Sequence, residues 1–372
     1  MHFHSIPATV ELIDHYRQGG YHPVHLGDEF HHGRYKVLAK LGHNASSTTW
    51  LARDNEGPQP EVSLKVLQAS ASKNNRELAM HQRLATTRTA DHPGKGNNHV
   101  VELLDHFYHE GPNGRHLCLV FPAMVSDVRA MVTSGAPLNA RDLGNLARQV
   151  LRGVQTLHAA GIGFCDLRPE NIMVAYPVPT CRWDCLQPAL CMPVEWRGGL
   201  EKDESVPRYL VQSQRYPCMV EREDFDRVVV VIGDLEGAQW IKSCDRMPGV
   251  ALSMRAPEVI GKGRWDERAD IWGLGCLIYE LATNEILFPV KTRGVSEEKV
   301  DENHLGLIEW RLGEHAPQGF AVYLGERLPR GSFTVKDVER LAEVLLHMLQ
   351  IAPTNRWSVN ELLETPFIKG RY

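Results

Sequence analysis

The switch from strand-like to helix-like composition near residue 122 constrains this chain of 372 residues more than any other feature. Before it, β-branched and aromatic runs alternate with turn residues. Residues 35–41, 48–52, 62–67, 100–104 and 116–121 read as five strands. Gly42 breaks the first run, and Gly111-Pro112-Asn113-Gly114 marks a turn between the last two. Residues 73–84, with Leu78 and Leu84 on a polar background, read as one helix inserted after the third strand. Beyond the switch, Leu143, Leu146, Ala147, Val150, Leu151, Val154 and Leu157 recur at three- and four-residue spacing. Asn139 is placed to cap that helix and Gly161 to end it. Residues 269–282 form an apolar helix buried on most sides, and Thr334 with Asp337 and Ser358 with Glu361 are capping boxes before apolar helices. The fold class is α+β: a small antiparallel five-stranded lobe with one helix, then a larger, mainly helical lobe.

Composition bounds the function without naming it. Hydrophobic residues make up 43% and charged residues 23%, an ordinary globular balance. The formal net charge of -5 argues against a general nucleic-acid binder. No apolar run approaches the ~20 residues that cross a bilayer. Eight scattered cysteines and no signal peptide indicate reduced thiols in the cytoplasm or nucleus. Cys181, Cys185 and Cys191 fit no zinc spacing and read as a cysteine-containing loop. The 18 histidines are assigned to the surface by default.

The stretch from Gly163 to Met173 carries the chemistry. Asp166 stands five residues before Asn171, with Arg168-Pro169 between them. Pro169 excludes a regular helix and pushes Arg168 to an extended conformation. The loop therefore holds a carboxylate and an amide on one side. Such a pair suits proton acceptance from a hydroxyl beside a phosphate-bound metal; the alternative is a plain turn. Residues 175–227 are irregular and too long for an ordinary connection, so they read as an insertion.

In order along the chain stand Lys65 on a strand, Glu77 on the next helix, Asp166 and Asn171 on a loop, and Asp234 after residues 228–232. Ala256-Pro257-Glu258, Asp270 and Arg356 follow. This series resembles a eukaryotic protein kinase over roughly residues 35–368. Arg255 before Ala256-Pro257-Glu258, and an insertion around 285–333, resemble the CMGC group. The lead-in from Gly19 to Asp28, then Gly33-Arg34-Tyr35, resembles serine/arginine-rich protein kinases, particularly fungal members. So do Ser47-Thr48-Thr49-Trp50-Leu51-Ala52 and Asp301-Glu302-Asn303-His304-Leu305.

The resemblance implies the bilobal kinase fold: an N-terminal extension over 1–34 packing on the core, an N-lobe over 35–121 and a C-lobe over 122–371 with the two insertions. It implies a serine/threonine kinase using ATP and Mg²⁺ on Arg/Ser-rich proteins such as splicing factors. It implies a monomer in the cytoplasm and nucleus that binds neither nucleic acid nor membrane. Lys65, held by Glu77, would meet the phosphates; Asp166 would take the hydroxyl proton; Arg168 would contact the γ-phosphate in place of the usual Lys. Asn171 and Asp234 would ligate Mg²⁺. Leu41, Gly42, Thr49, Ser63, Phe121 and Met124 would surround the nucleotide, with Phe121 gating the adenine pocket. Glu258 and Arg356 would pair structurally. Acids at Glu297, Glu298, Asp301, Glu302, Glu309 and Glu314 would form a docking groove for Arg-rich segments, the alternative being a solvated helix face.

The departures are specific. Asn44 and Ser47 stand where the hairpin pattern has glycine, and are expected to crowd the phosphates. Thr49 and Ser63 make the adenine pocket more polar. Phe164-Cys165 replaces the usual His-Arg, which predicts activity independent of activation-segment phosphorylation. Asp234-Leu235-Glu236 puts a carboxylate where glycine is usual. A catalytically weak pseudokinase, acting as a binding module, is the alternative to the enzyme.

Overall fold

The computed structural model describes residues 10–91, 99–124, 126–134, 138–175, 188–195, 203–214, 227–243, 249–313 and 319–370. In chain order the first elements are β1 (Glu29–Phe30), β2 (Tyr35–His43), β3 (Ser47–Asp54), β4 (Glu61–Leu67), α1 (Arg76–Asp91), β5 (Asp105–Gly111) and β6 (Gly114–Pro122). Next come β7 (Ser126–Asp127), α2 (Val128–Ser134), α3 (Ala140–Ala159), β8 (Ile162–Gly163), β9 (Ile172–Ala175), β10 (Cys191–Pro193), β11 (Tyr209–Val211), β12 (Val229–Ile232) and β13 (Gln239–Trp240). The helices α4 (Pro257–Ile260), α5 (Arg268–Thr283), α6 (Glu297–Leu312), α7 (Phe320–Gly325), α8 (Val335–Met348), α9 (Val359–Leu363) and α10 (Pro366–Lys369) complete the described chain.

The chain divides into two compact units. The first holds Met1–His81, Val101–Val125 and Val178–Pro217; the second holds Gln82–Val100, Ser126–Pro177 and Cys218–Tyr372. This partition differs from the sequence boundaries in three places: residues 82–100 join the second unit, residues 122–125 stay with the first, and most of the 175–227 insertion joins the first.

The first unit is built on an antiparallel sheet of six strands in the order β1-β2-β3-β4-β6-β5. One of the five sequence-derived strands needs correction, and a sixth is added. Residues 101–104 are not a strand, and the pairing segment is Asp105–Gly111. This edge strand is largely polar because only Phe107 of its residues is buried, so the apolar run before it reported burial rather than pairing. The lead-in adds the sixth strand, β1, against β2. Tyr35, Val37, Trp50, Leu64, Val66 and Val120 form the core of this sheet.

The insertion supplies a small hairpin, β10 against β11. Its hydrophobic side is covered by the N-terminal lead-in: Leu210 packs with Val10, Tyr16 and Tyr21, and Val211 joins the sheet core beside Val24 and Phe30. Asn113 Nδ2 donates to the backbone oxygens of both Tyr21 and Ser205, each at 2.7 Å, tying lead-in, turn and insertion together. Beneath β2, Lys40 and Glu11 form a fully buried ion pair, and the Tyr16 hydroxyl donates to the same carboxylate.

The second unit is helical, with α5 buried along its length from Asp270 to Thr283. Asn139 caps α3 by accepting from the Asp142 N–H at 2.9 Å, and Gly161 ends it at φ 79°. Both expected capping boxes are present, at Thr334/Asp337 and Ser358/Glu361. Among the described residues no helix is long and apolar enough to cross a membrane.

The histidines correct the surface assignment. His22, His81, His99, His116 and His304 are buried. Their rings pack as flat, weakly polar groups, which a hydrophilicity count does not register. Cys118, Cys165 and Cys276 are buried free thiols and Cys191 is exposed; Cys181 and Cys185 lie outside the described residues.

Candidate active site

The candidate residues fall in both units, and each group stands on its own geometry. In the second unit the loop after β8 is anchored from below. Asp270, near the start of α5, accepts from the backbone N–H of Phe164 and of Cys165, both at 2.8 Å, and lies 2.9 Å from His158 Nε2. These bonds hold Cys165 at φ 62°, a left-handed conformation costly for a residue with a side chain. Cys165 is buried there and presents no cation. The Asp270 contact turns the chain sharply, so Asp166 follows with its own direction set.

Arg168 is extended (φ −135°, ψ 156°), as a residue before proline must be, and Pro169–Asn171 form one 3-10 turn. That turn brings Asn171 back to Asp166. Asn171 Nδ2 donates to Asp166 Oδ2 at 2.8 Å and to the Asp166 backbone oxygen at 3.0 Å. Both amide protons are thereby committed, leaving the amide oxygen as the group suited to a cation. Arg168 Nη2 lies 3.3 Å from Asp166 Oδ2. Burial nevertheless raises the Asp166 carboxyl above its usual range; Arg168 and the Asn171 bond oppose that rise, while Asp234 and Glu170 add to it.

The register of β12 against β9 places Asp234. Ile232 pairs with Ile172, and the Gly233 N–H donates to the Asn171 backbone oxygen at 2.9 Å. Asp234 therefore leaves the sheet beside Asn171. It adopts φ 53° and accepts from the Glu236 N–H at 3.4 Å. The left-handed backbone in this motif is thus carried by Asp234, while Glu236 is exposed and outside the left-handed region. Glycine's freedom is not needed at position 236, and this removes the backbone objection to Glu there. The Asp234 carboxylate and the Asn171 amide oxygen are hard-oxygen donors of the kind Mg²⁺ takes.

In the first unit, Lys65 on β4 donates to both oxygens of Glu77 on α1, at 2.9 and 2.8 Å. Lys65 lies opposite Thr49 on β3, and Ser63 lies opposite Phe121 on β6. Phe121 is buried against the His81 ring, 5.1 Å between centroids. Leu41 and Gly42 sit on β2, and Met124 is half-buried just past β6. A side chain at Gly42 would meet nothing within 4 Å, so that backbone is open.

The expected crowding by Asn44 is not what the structure has. Its Oδ1 accepts from the N–H and hydroxyl of Ser46 (3.0 and 3.2 Å) and of Ser47 (2.8 and 2.9 Å). The side chain closes the hairpin turn from within, as Asx residues do. The Tyr21 hydroxyl also donates to the Asn44 backbone oxygen, so the lead-in supports the same turn.

Sequence reasoning singled out Asp270 but missed its partner His158 and two further supporting groups. The buried Lys40–Glu11 pair had no sequence signal, because its members are separated by the lead-in. Arg129, which bridges Glu170 and Glu280 at 2.9 and 2.7 Å, was signalled only by an acid inside the buried helix α5. The expected Glu258–Arg356 pair is present with two bonds of 2.7 Å, and Arg356 also donates to the backbone oxygens of Gln350 and Arg268.

The sequence model of the protein kinase domain matches residues 35–178 and 224–368. A serine/threonine-protein kinase SRPK of Physarum polycephalum is 29% identical over 402 aligned residues, covering 96% of this chain and 91% of that protein. Protein kinase dsk1 of Schizosaccharomyces pombe is 27% identical, covering 82% of this chain and 71% of its own length. Serine/threonine-protein kinase SKY1 of Saccharomyces cerevisiae is 32% identical over 44% of this chain and 23% of its own. These relatives bear out the resemblance to serine/arginine-rich protein kinases drawn from the sequence. With its sheet-built first unit, its helical second unit and the domain match spanning both, the chain belongs to the protein kinase family.

Proposed function

We propose that this chain transfers the γ-phosphoryl group of ATP to serine hydroxyls in Arg/Ser-rich proteins. The observation that carries the enzymatic reading is the formed triad of Asp166, Asn171 and Arg168, together with a formed Lys65–Glu77 pair. The reported relatives are named as kinases, and nothing among them favours the pseudokinase alternative.

Phosphoryl transfer needs charge neutralisation and alignment more than covalent chemistry. Mg²⁺ would neutralise the phosphates, and Asn171 and Asp234 would hold it through oxygen. Lys65, fixed by Glu77, supplies a positioned cation for the nucleotide. Asp166 orients the serine hydroxyl and accepts its proton as the bond to phosphorus forms. Arg168 offers a planar guanidinium to the transferring group and, paired to Asp166, keeps that carboxylate ionised. Thr49 and Ser63 give the nucleotide surroundings hydroxyl groups.

The Arg/Ser preference rests on the names of the relatives and on α6. Its buried face is Val300, His304 and Ile308, and Glu297, Glu298, Glu302 and Glu309 are exposed. Glu298, Glu302 and Glu309 recur at helical spacing along one side. Asp301 is half-buried and 3.9 Å from Lys262; Glu314 lies outside the described residues. We assign the exposed acids to docking of Arg-rich segments.

The test is a radiolabelled transfer assay with ATP and Mg²⁺ on a panel of Arg-Ser repeats and neutral Ser peptides. Wild type should label Arg-Ser repeats preferentially, and Asp166→Asn should lower kcat by about 10²–10⁴-fold. Equal and negligible transfer by wild type and Asp166→Asn would remove the enzyme reading. Transfer without Arg-Ser preference would remove the substrate assignment alone.

A further inference from the structure

Tyr21 lies in the N-terminal lead-in and is almost fully buried. Its backbone is fixed first. Gly20, just before it, packs so closely on the His15 and Arg17 backbone oxygens that a Cβ would meet them at 1.9 and 3.0 Å. The Gly20 and Gly19 oxygens accept from the N–H groups of Ala69 at 3.1 Å and Ser70 at 2.8 Å, in the segment between β4 and α1. The Tyr21 N–H donates to the His15 oxygen at 3.0 Å, and the Tyr21 oxygen accepts from Asn113 Nδ2. The ring sits edge-on to Tyr16, 5.5 Å between centroids, in the cluster with Leu210 of β11. With the backbone bonded and the ring packed, the hydroxyl is delivered to the backbone oxygen of Asn44.

Asn44 opens the turn between β2 and β3. Its N–H donates to the Ser47 oxygen at 2.9 Å, and its side chain accepts from Ser46 and Ser47, so the turn is closed from within. Contacts from outside then fix where the closed turn sits. The Tyr21 hydroxyl holds Asn44, and the Gln68 N–H, just past β4, donates to the Ser46 oxygen at 2.7 Å. Further along β2, Glu11 pairs with Lys40, and the Gln214 N–H of the insertion donates to the Lys40 oxygen at 2.8 Å. A glycine-built turn settles on a ligand through backbone freedom, and that freedom is lost on binding. A turn already held in place loses less on binding.

We propose that Tyr21 is a positioning residue for the nucleotide: through the Asn44 carbonyl it fixes the β2–β3 turn over the phosphates, so this chain holds them with a rigid turn at the place where the family pattern has mobile glycines. This rests on the kinase reading above. Thr49, Ser63 and Phe121, assigned to the nucleotide's surroundings, lie within the paired strands β3, β4 and β6 and not in the turn. The tie therefore acts on the phosphates and leaves adenosine unaffected. It holds ADP by the same turn, so it also slows release of the product.

The experiment compares ATP, ADP and adenosine by calorimetry on the full chain with Mg²⁺, in wild type and in Tyr21→Phe, which keeps the ring and removes the hydroxyl. Tyr21→Phe should weaken ATP and ADP by about threefold to tenfold, the range of one hydrogen bond. Adenosine should stay within about twofold. In turnover, KM for ATP should rise by a similar factor while kcat does not fall. The control is Tyr16→Phe, which removes from the same cluster the hydroxyl that donates to Glu11 and leaves the bond to Asn44 in place. It should leave all three affinities within about twofold. Equal weakening of adenosine in Tyr21→Phe, or an equal loss of ATP affinity in Tyr16→Phe, would overturn the proposal and leave Tyr21 as a brace of the lead-in. Unchanged affinities in Tyr21→Phe would overturn it too. Hydrogen exchange on the nucleotide-free chain reads the turn directly: the Ser46 and Ser47 amides should exchange faster in Tyr21→Phe, and unchanged exchange would also overturn it. Because calorimetry needs no transfer, a wild type that binds ATP and transfers nothing would remove the kinase reading and still decide this one.

Discussion

Asn171 holds Asp166 by two bonds, to Oδ2 at 2.8 Å and to the backbone oxygen at 3.0 Å. Its amide is thus an orienting group for the carboxylate as well as a candidate metal ligand. Asn171→Leu should lose both functions, with kcat falling by about 10²-fold or more. Asn171→Asp should keep the oxygen donor but place a second carboxylate against Asp166. Its residual activity should rise with Mg²⁺ concentration, and a Mg²⁺ titration of the two variants checks the distinction.

Burial raises the Asp166 carboxyl, and Arg168 is the largest group opposing that rise. A base must be deprotonated to act, so activity is lost as pH falls through its raised value. The acid limb of kcat/KM should lie above the range of an ordinary aspartate. Arg168→Ala should move the limb to still higher pH; a shift to lower pH would contradict the assigned pairing.

Cys165 is buried, uncharged and tied by its N–H to Asp270, so no cation stands there to receive a phosphate from the activation segment. Phosphatase treatment of the purified chain should leave kcat/KM within about twofold. Abolished turnover would show that phosphorylation is required.

Arg356 is fully buried and joins Glu258, Gln350 and Arg268, with Trp272 under its guanidinium. Removing one partner of such a pair leaves a buried charge uncompensated. Arg356→Met should cost about 3–5 kcal/mol of stability, and Arg356→Met with Glu258→Leu should recover part of it. Denaturant unfolding of the single and double variants measures this.

His22 packs against His109 and His116 with ring centroids 4.6 and 5.1 Å away. Burial, then the neighbouring His109 and His116, and last His25, lower it to about 3; Asp28 works the other way. The sign follows. The folded state keeps His22 neutral while the unfolded chain takes a proton near pH 6.5. Stability is whole above that value and declines as pH falls towards 3. The slope from one such group is at most about 1.4 kcal/mol per pH unit. His22→Gln should flatten the fall in melting temperature between pH 7 and pH 5.

The sequence by itself determined the kinase fold, its order of motifs and the chemical groups. Helix α3 was legible from its stripe and cap because helix periodicity and capping are local. Arg168's extended backbone was legible because proline restricts its neighbour. The tertiary structure decided what is non-local. It turned Asn44 inward to close a hairpin, gave the left-handed backbone to Asp234 rather than position 236, and seated the insertion on the first unit. It also placed a guanidinium from α2 on acids from two other elements. Residues 129, 170 and 280 carry no shared local pattern. Their meeting depends on strand pairing and helix burial, which act over distances that periodicity and spacing do not record.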